Sequence, residues 1–181
     1  GTRQAALLMP IDDERLPRQR HVVLVAGDPM TLLYPALVRW VAGHPLPRSR
    51  WVLSMAPRPH LLTRVADDAI DMEVVGGTML TGQVERLFRR GEYPFRVTDR
   101  VELDGMTATI LKVDPQGLPM KVRFRFDMSL DDRDLVFLLV TQRGMLRYPM
   151  GPVGATMAIP PAKLPLVLDI QAQDRAAAGE G

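Results

Sequence analysis

The run His21-Val22-Val23-Leu24-Val25-Ala26 constrains this chain more than any other segment. Uninterrupted, apolar and β-branched, it reads as a strand buried on both faces. Gly27-Asp28-Pro29 then turns the chain, with Asp28 suited to cap a helix and Pro29 to be its first residue. Leu33, Ala36, Leu37, Trp40 and Val41 recur at helical spacing, and Gly43 is a natural stop. After a proline-rich loop, residues 51–56 read as a second buried strand. Strand, helix, strand in this order predicts a βαβ unit with parallel strands.

The pattern then changes. Residues 60–65 and 70–75 read as two strands of a hairpin around Ala66-Asp67-Asp68-Ala69. Gly76-Gly77 ends it, and residues 83–90 are expected to form a short helix with Val84, Leu87 and Phe88 inward. From Pro94 onward, short strands are expected over 101–103, 107–113, 120–126, 135–140, 145–148 and 155–159. Asp104-Gly105, Asp114-Pro115-Gln116-Gly117 and Arg143-Gly144 are the turn signals between them. The expected class is α+β: an N-terminal segment over 1–19, a βαβ unit with hairpin over 20–92, a small antiparallel β-barrel-like lobe over 93–161, and a frayed tail over 162–181.

Composition excludes several chemistries. With 46% hydrophobic and 24% charged residues, the 181-residue chain is an ordinary globular one. There is no cysteine, so disulfides, thiolate-bound metals and thiol nucleophiles are excluded. With a net charge of +2 the chain is not polybasic, and no global electrostatic argument about partners follows. The bias toward Arg, Ala, Pro and Gly suggests a GC-rich bacterial genome. The longest apolar stretch is broken by Gly27, Asp28, Pro29 and Pro35, so no membrane span is expected. The chain opens on Gly1 rather than Met, and is expected to be a piece of a longer protein.

Candidate site residues are few. Asp28 and Thr31 lie where a strand feeds a helix, the place where open α/β sheets bind ligands. Ser54 lies inside the second strand, and His60 follows it between prolines and apolar residues. Asp28, Ser54 and His60 are therefore the candidate catalytic residues, with the helix cap, a core hydroxyl bonded to backbone and a core histidine as their structural alternatives. His21, His44 and His60 form no HxxxH or HxH pair, and Asp127, Asp131, Asp132 and Asp134 lack the spacing of a calcium loop. No metal and no cofactor is expected. Lys121-Val122-Arg123-Phe124-Arg125-Phe126 alternates strictly, which puts three cations on one face of a strand. Such a face suits lipid headgroups or nucleic-acid phosphates, or else a solvated surface paired to nearby acids. The eleven methionines are spread along the chain and read as core filling.

Three resemblances accompany this reading. The segment from His21 to Met30 resembles the late strand of α/β-hydrolases, where a catalytic acid follows a glycine; here that position is Met30, and no GxSxG nucleophile elbow occurs. The stretch from Pro94 through Asp104-Gly105 to Ile110 is similar to the opening of SH3-like and Sm-like barrels, including the β-domain of small-conductance mechanosensitive channels. That resemblance implies a barrel fold of the kind that often serves assembly. The order of an apolar strand, a proline-containing helix, a second strand, a Pro-Phe opening and a Val-Arg-Phe-Arg-Phe strand resembles soluble C-terminal regions of polytopic bacterial membrane proteins of unknown function. It implies a soluble region tethered to a membrane through a missing part of the parent chain.

The leading expectation is a non-enzymatic interaction or assembly module. Its partner is expected to be another protein, its own membrane-embedded region or a second copy in a homo-oligomer, with no specific nucleic acid. The alternatives are a hydrolase-like or small-ligand site at the strand ends near Asp28, and an anionic-surface binder using Lys121, Arg123 and Arg125.

Overall fold

A computed structural model describes residues 14–26, 41, 43, 46–79, 95–141 and 144–161. A 3-10 turn, Leu16–Arg18, buries Leu16 and leads into strand β1, Arg20–Val25. The other strands are β2 Ser49–Ser54, β3 His60–Ala66, β4 Ala69–Val74, β5 Arg100–Leu103, β6 Met106–Val113, β7 Pro119–Phe126, β8 Leu135–Thr141, β9 Gly144–Arg147 and β10 Thr156–Ile159.

These strands form two sheets. The first has the order β2-β1-β8-β9, and β1 runs parallel to both of its neighbours. Val22 lies opposite Trp51 on one side and Phe137 on the other. β9 folds back on β8 as an antiparallel hairpin. The second sheet has the order β10-β3-β4-β7-β6-β5 and is antiparallel throughout.

The parallel pairing of β1 with β2 and the β3–β4 hairpin are as the sequence predicts. The α+β class is corrected. Strands make up 52% of the described residues, which contain no complete α-helix, so the protein is mainly β. The helical spacing at 29–42 and 83–90, on which the α part of the expectation rested, falls outside the described residues apart from Val41. Nor do the sheets follow the expected division near residue 92. The β3–β4 hairpin joins the sheet of β5–β7, while β8 and β9 join the sheet of β1 and β2.

One apolar core lies between the sheets. Val22, Leu24, Leu53, Leu135 and Phe137 of the first sheet meet Leu62, Ile70, Met72, Val122, Phe124, Phe126 and Ile159 of the second. Phe126 joins the layers directly, tilted against Trp51 at 6.1 Å and edge-on to Phe137 at 5.7 Å between ring centres. The first sheet also buries its other face, where Val23, Val52, Val136, Leu138, Val140 and Met145 cluster. Burial on both faces matches the unbroken apolar run of β1.

A polar clasp closes the edge of this core. Arg20, at the start of β1, donates to Asp127 just after β7 at 2.5 Å, and its guanidinium lies 6.0 Å from the Trp51 ring centre. The β5–β6 turn passes over it at Gly105, whose φ of +87° requires the left-handed region. A Cβ on Gly105 would overlap the Arg20 guanidinium. Gly154 has a similar φ of +90° but open space around it. Gly154→Ala should therefore cost about 1–2 kcal/mol from backbone strain alone. Gly105→Ala should cost a further ~1–3 kcal/mol by displacing Arg20 from Asp127. Urea unfolding of the two variants measures the difference.

Candidate functional site

The parallel strands end together. Ala26, just past β1, donates its backbone N–H to the Ser54 carbonyl at the end of β2 at 2.9 Å. Residues 55–59 then carry the chain across to the other sheet, where β3 opens with His60. This short crossing returns the His60 ring to Ser54, and Ser54 Oγ and His60 Nε2 lie 2.8 Å apart. Ser54 Oγ also accepts the Ala56 backbone N–H at 3.2 Å. With that bond accepted, the Ser54 hydroxyl is free to donate to Nε2. Burial lowers the His60 pKa from its ordinary 6.5, while the Arg58 backbone carbonyl opposes the shift, so the ring is held neutral.

A neutral imidazole accepting from a serine is the arrangement that general-base activation uses. Access is the missing element. Ser54 is 2% and His60 0% exposed. His60 pairs in register with Val74 and Ile159, both buried. Of the expected site residues, Ser54 and His60 come together, whereas Asp28 and Thr31 lie outside the described residues, as does His44. His21 is buried, with Nε2 3.1 Å from Gln19 Oε1. The bond from Ser54 to backbone was legible from sequence; its bond to His60 was not. The one local signal was a serine near the end of one strand and a histidine opening the next, with Pro57 and Pro59 between them.

Three of the four acids in the acidic cluster, Asp127, Asp131 and Asp134, pair with arginines. Arg64 on β3 is 4% exposed in its side chain. It donates from Nη1 and Nη2 to the two carboxylate oxygens of Asp131, both at 3.0 Å. Its remaining donors reach Asp67 and the Ala66, Asp67 and Gly151 carbonyls. Arg64 thereby holds Asp131 below the usual carboxylate range. Asp127 serves Arg20, Asp134 meets Arg15 at 3.4 Å, and Asp132 accepts the Asp134 backbone N–H. Among the described residues, no group of three His or carboxylate side chains is placed to hold a metal ion.

Lys121, Arg123 and Arg125 project from β7 on the outer face of the second sheet, as the alternation predicts, with Val122, Phe124 and Phe126 buried behind them. Each cation is matched by an acid. Arg123 makes a two-pronged pair with buried Asp71 at 2.7 and 3.0 Å, Arg125 meets Asp68 at 2.7 Å, and Lys121 lies 4.0 Å from Glu73. Asp71 and Glu73 sit directly opposite Arg123 and Lys121 in the β4–β7 register. The face is a ladder of cross-strand ion pairs rather than a cationic patch.

An open cleft of about 340 Å³ lies beside β8 and β9. Leu130, Phe137 and Met150 give it apolar walls, and Asp132, Arg133 and Tyr148 add polar groups. Burial pushes the Tyr148 hydroxyl above its ordinary pKa. No helix among the described residues is long and apolar enough to cross a membrane. Comparison with protein-family models, with curated proteins and with solved structures finds no match.

Two expected outcomes follow from this geometry. Arg64→Ala strips the partner from Asp131 and three backbone carbonyls, and should lower the melting temperature by roughly 5 °C or more. Arg64→Lys should recover only part of the loss, because an ammonium cannot span both Asp131 oxygens. Calorimetry of the three proteins checks both statements. The second outcome concerns His60. Its folded pKa is depressed, so its contribution to stability is complete above about pH 6.5 and is lost as pH falls below that value, where the unfolded chain takes up the proton first. Urea midpoints at about pH 7.5 and 5.5 should fall further for the wild type than for His60→Gln.

Proposed function

We propose that this chain is a non-catalytic interaction or assembly module built on a rigid two-sheet β fold. The observation that carries the reading is the sealed state of its best chemical pair. Ser54 and His60 are hydrogen-bonded in a geometry suited to nucleophile activation, yet both are closed off from solvent. A catalytic serine must reach a substrate carbonyl, and this one is enclosed by core. Four paired arginines point the same way. Arg20, Arg64, Arg123 and Arg125 each tie separate parts of the chain together instead of converging on a cleft. A partner would then be another protein, a membrane-embedded part of the parent chain or a second copy.

A second reading keeps the strand ends as a hydrolase-like or small-ligand site. The Ser54–His60 distance of 2.8 Å favours it, as does the position of the pair at the carboxyl end of parallel strands. A fluorophosphonate probe separates the two. Native protein should leave Ser54 unmodified over hours, with labelling appearing only on unfolding, as read by peptide mass spectrometry against Ser54→Ala. Rapid labelling of Ser54 in the native state would overturn the non-catalytic reading and establish the strand-end site.

A further inference from the structure

We propose that β5 is a self-complementary edge through which two copies of this chain pair antiparallel, continuing the six-stranded sheet across a two-fold axis at Val101. The inference rests on the interaction-module reading above and names one partner for it.

β5 is the last strand of its sheet, bonded to β6 on one side and to no described strand on the other. Its backbone phase follows from the turn. Asp104-Gly105 is a two-residue hairpin loop, so the closing pair Leu103 and Met106 point their N–H and C=O groups at each other. Alternation then turns the groups of Val101 toward Ala108, and the Ile110 N–H reaches the Asp99 carbonyl at 2.8 Å in the same phase. Arg100 and Glu102 therefore turn their backbone donors and acceptors outward, away from β6. Their side chains are open as well, at 62% and 66% exposed.

An antiparallel copy placed about Val101 uses this pattern fully. Arg100 of each chain faces Glu102 of the other as a hydrogen-bonded pair, which gives four backbone bonds. Val101 faces its own counterpart in the closer, non-hydrogen-bonded spacing. On the outer face the two Arg–Glu pairs are of opposite charge across the axis, the favourable cross-strand combination. Arg100 and Glu102 already meet within one chain at 2.5 Å, so the exchange swaps an internal partner for an equivalent external one. On the inner face, Val101 and Leu103 are only partly buried against the core, and a second copy would cover them. Lysines and prolines are common guards of an edge strand against pairing. β5 instead carries one of each sign, spaced so that reversal of the chain matches them. The interface is isologous, as a two-fold dimer requires. A four-residue contact falls well short of the roughly 1,200 Å² of a standard stable complex, so the dimer is weak and concentration-dependent.

Sedimentation equilibrium tests this with five samples. Wild-type protein should shift from monomer toward dimer as concentration rises to about 1 mM, and less so in high salt. Arg100→Glu alone and Glu102→Arg alone set like charges across the axis and should remain monomeric, with circular dichroism melts confirming that each is folded. An equimolar mixture of these two single variants has opposite charges at every facing position and should recover the dimer, as should the double variant carrying both changes. A wild type monomeric at every concentration overturns the proposal. So does a dimer that the single variants leave unchanged, or folded single variants whose mixture stays monomeric. Failure of the dimer with Ser54 still unlabelled leaves the interaction reading in place, whereas labelling of Ser54 removes that reading whatever the mass.

Discussion

Strand β1 has no exposed face, and much of the described architecture follows from that constraint. Val22, Val23, Leu24, Val25 and Ala26 are all fully buried. A strand in that position must pair on both sides, since its backbone groups have no water to turn to. β2 fills one side. The other is filled by β8, which arrives from more than a hundred residues away and runs parallel to it. The first sheet is therefore built from both ends of the described chain. The residues between β2 and β8 cross over to make five of the six strands of the second sheet, and β10 adds the sixth. The two sheets are thus interleaved along the chain, and neither is a continuous segment.

That interleaving explains the arginines. Arg20 links the start of β1 to Asp127 beyond β7, and Arg64 links β3 to Asp131 in the loop before β8. Both pins hold a crossing of the chain between sheets. A guanidinium suits the task because its planar fork can satisfy a carboxylate and several carbonyls at once. Arg64 does this with two carboxylates and three carbonyls. The near-neutral total charge is the sequence-level shadow of this pairing. Among the described residues, Arg20, Arg64, Arg123 and Arg125 all hold separate parts of the chain together in this way.

Much of the local structure was legible in the sequence. Each strand signal from residue 101 onward has a strand over it, because alternation and turn chemistry are local properties. The alternation in 121–126 fixed which side chains of β7 face the core. What periodicity cannot supply is a strand's neighbour. Nothing in residues 135–141 distinguishes a strand that pairs parallel with β1 from one that closes an antiparallel lobe; both are apolar. The expected division into lobes therefore grouped strands by chain order, where the molecule groups them by burial. The α part of the expected class rested on residues 29–42 and 83–90, which lie outside the described residues apart from Val41. Ser54 and His60 could each be placed near a strand end from sequence. Their meeting depends on the path of residues 55–59 between sheets, which no spacing rule encodes.

A two-sheet protein of this kind has three surfaces on which to act: its outer faces, its edges and the clefts between its loops. The outer face of the second sheet is covered by cross-strand ion pairs, each of which lowers the appetite of that face for an external charge. The cleft beside β8 is open and mixed in character, with Asp131 on its wall already committed to Arg64. Edges differ in kind, because outward backbone groups remain hydrogen-bond donors and acceptors whatever side chains stand beside them. Between the two ends of the six-stranded sheet the difference lies in those side chains. β10 offers Thr156, Met157, Ala158 and Ile159, which carry no charge to define a register. β5 offers Arg100 and Glu102 on either side of Val101, and two opposite charges symmetric about one residue define both a direction and a register. Hydrogen bonds alone would let an edge pair with any strand. The charges of β5 favour one pairing over the others, and that selectivity separates an assembly edge from an aggregation hazard.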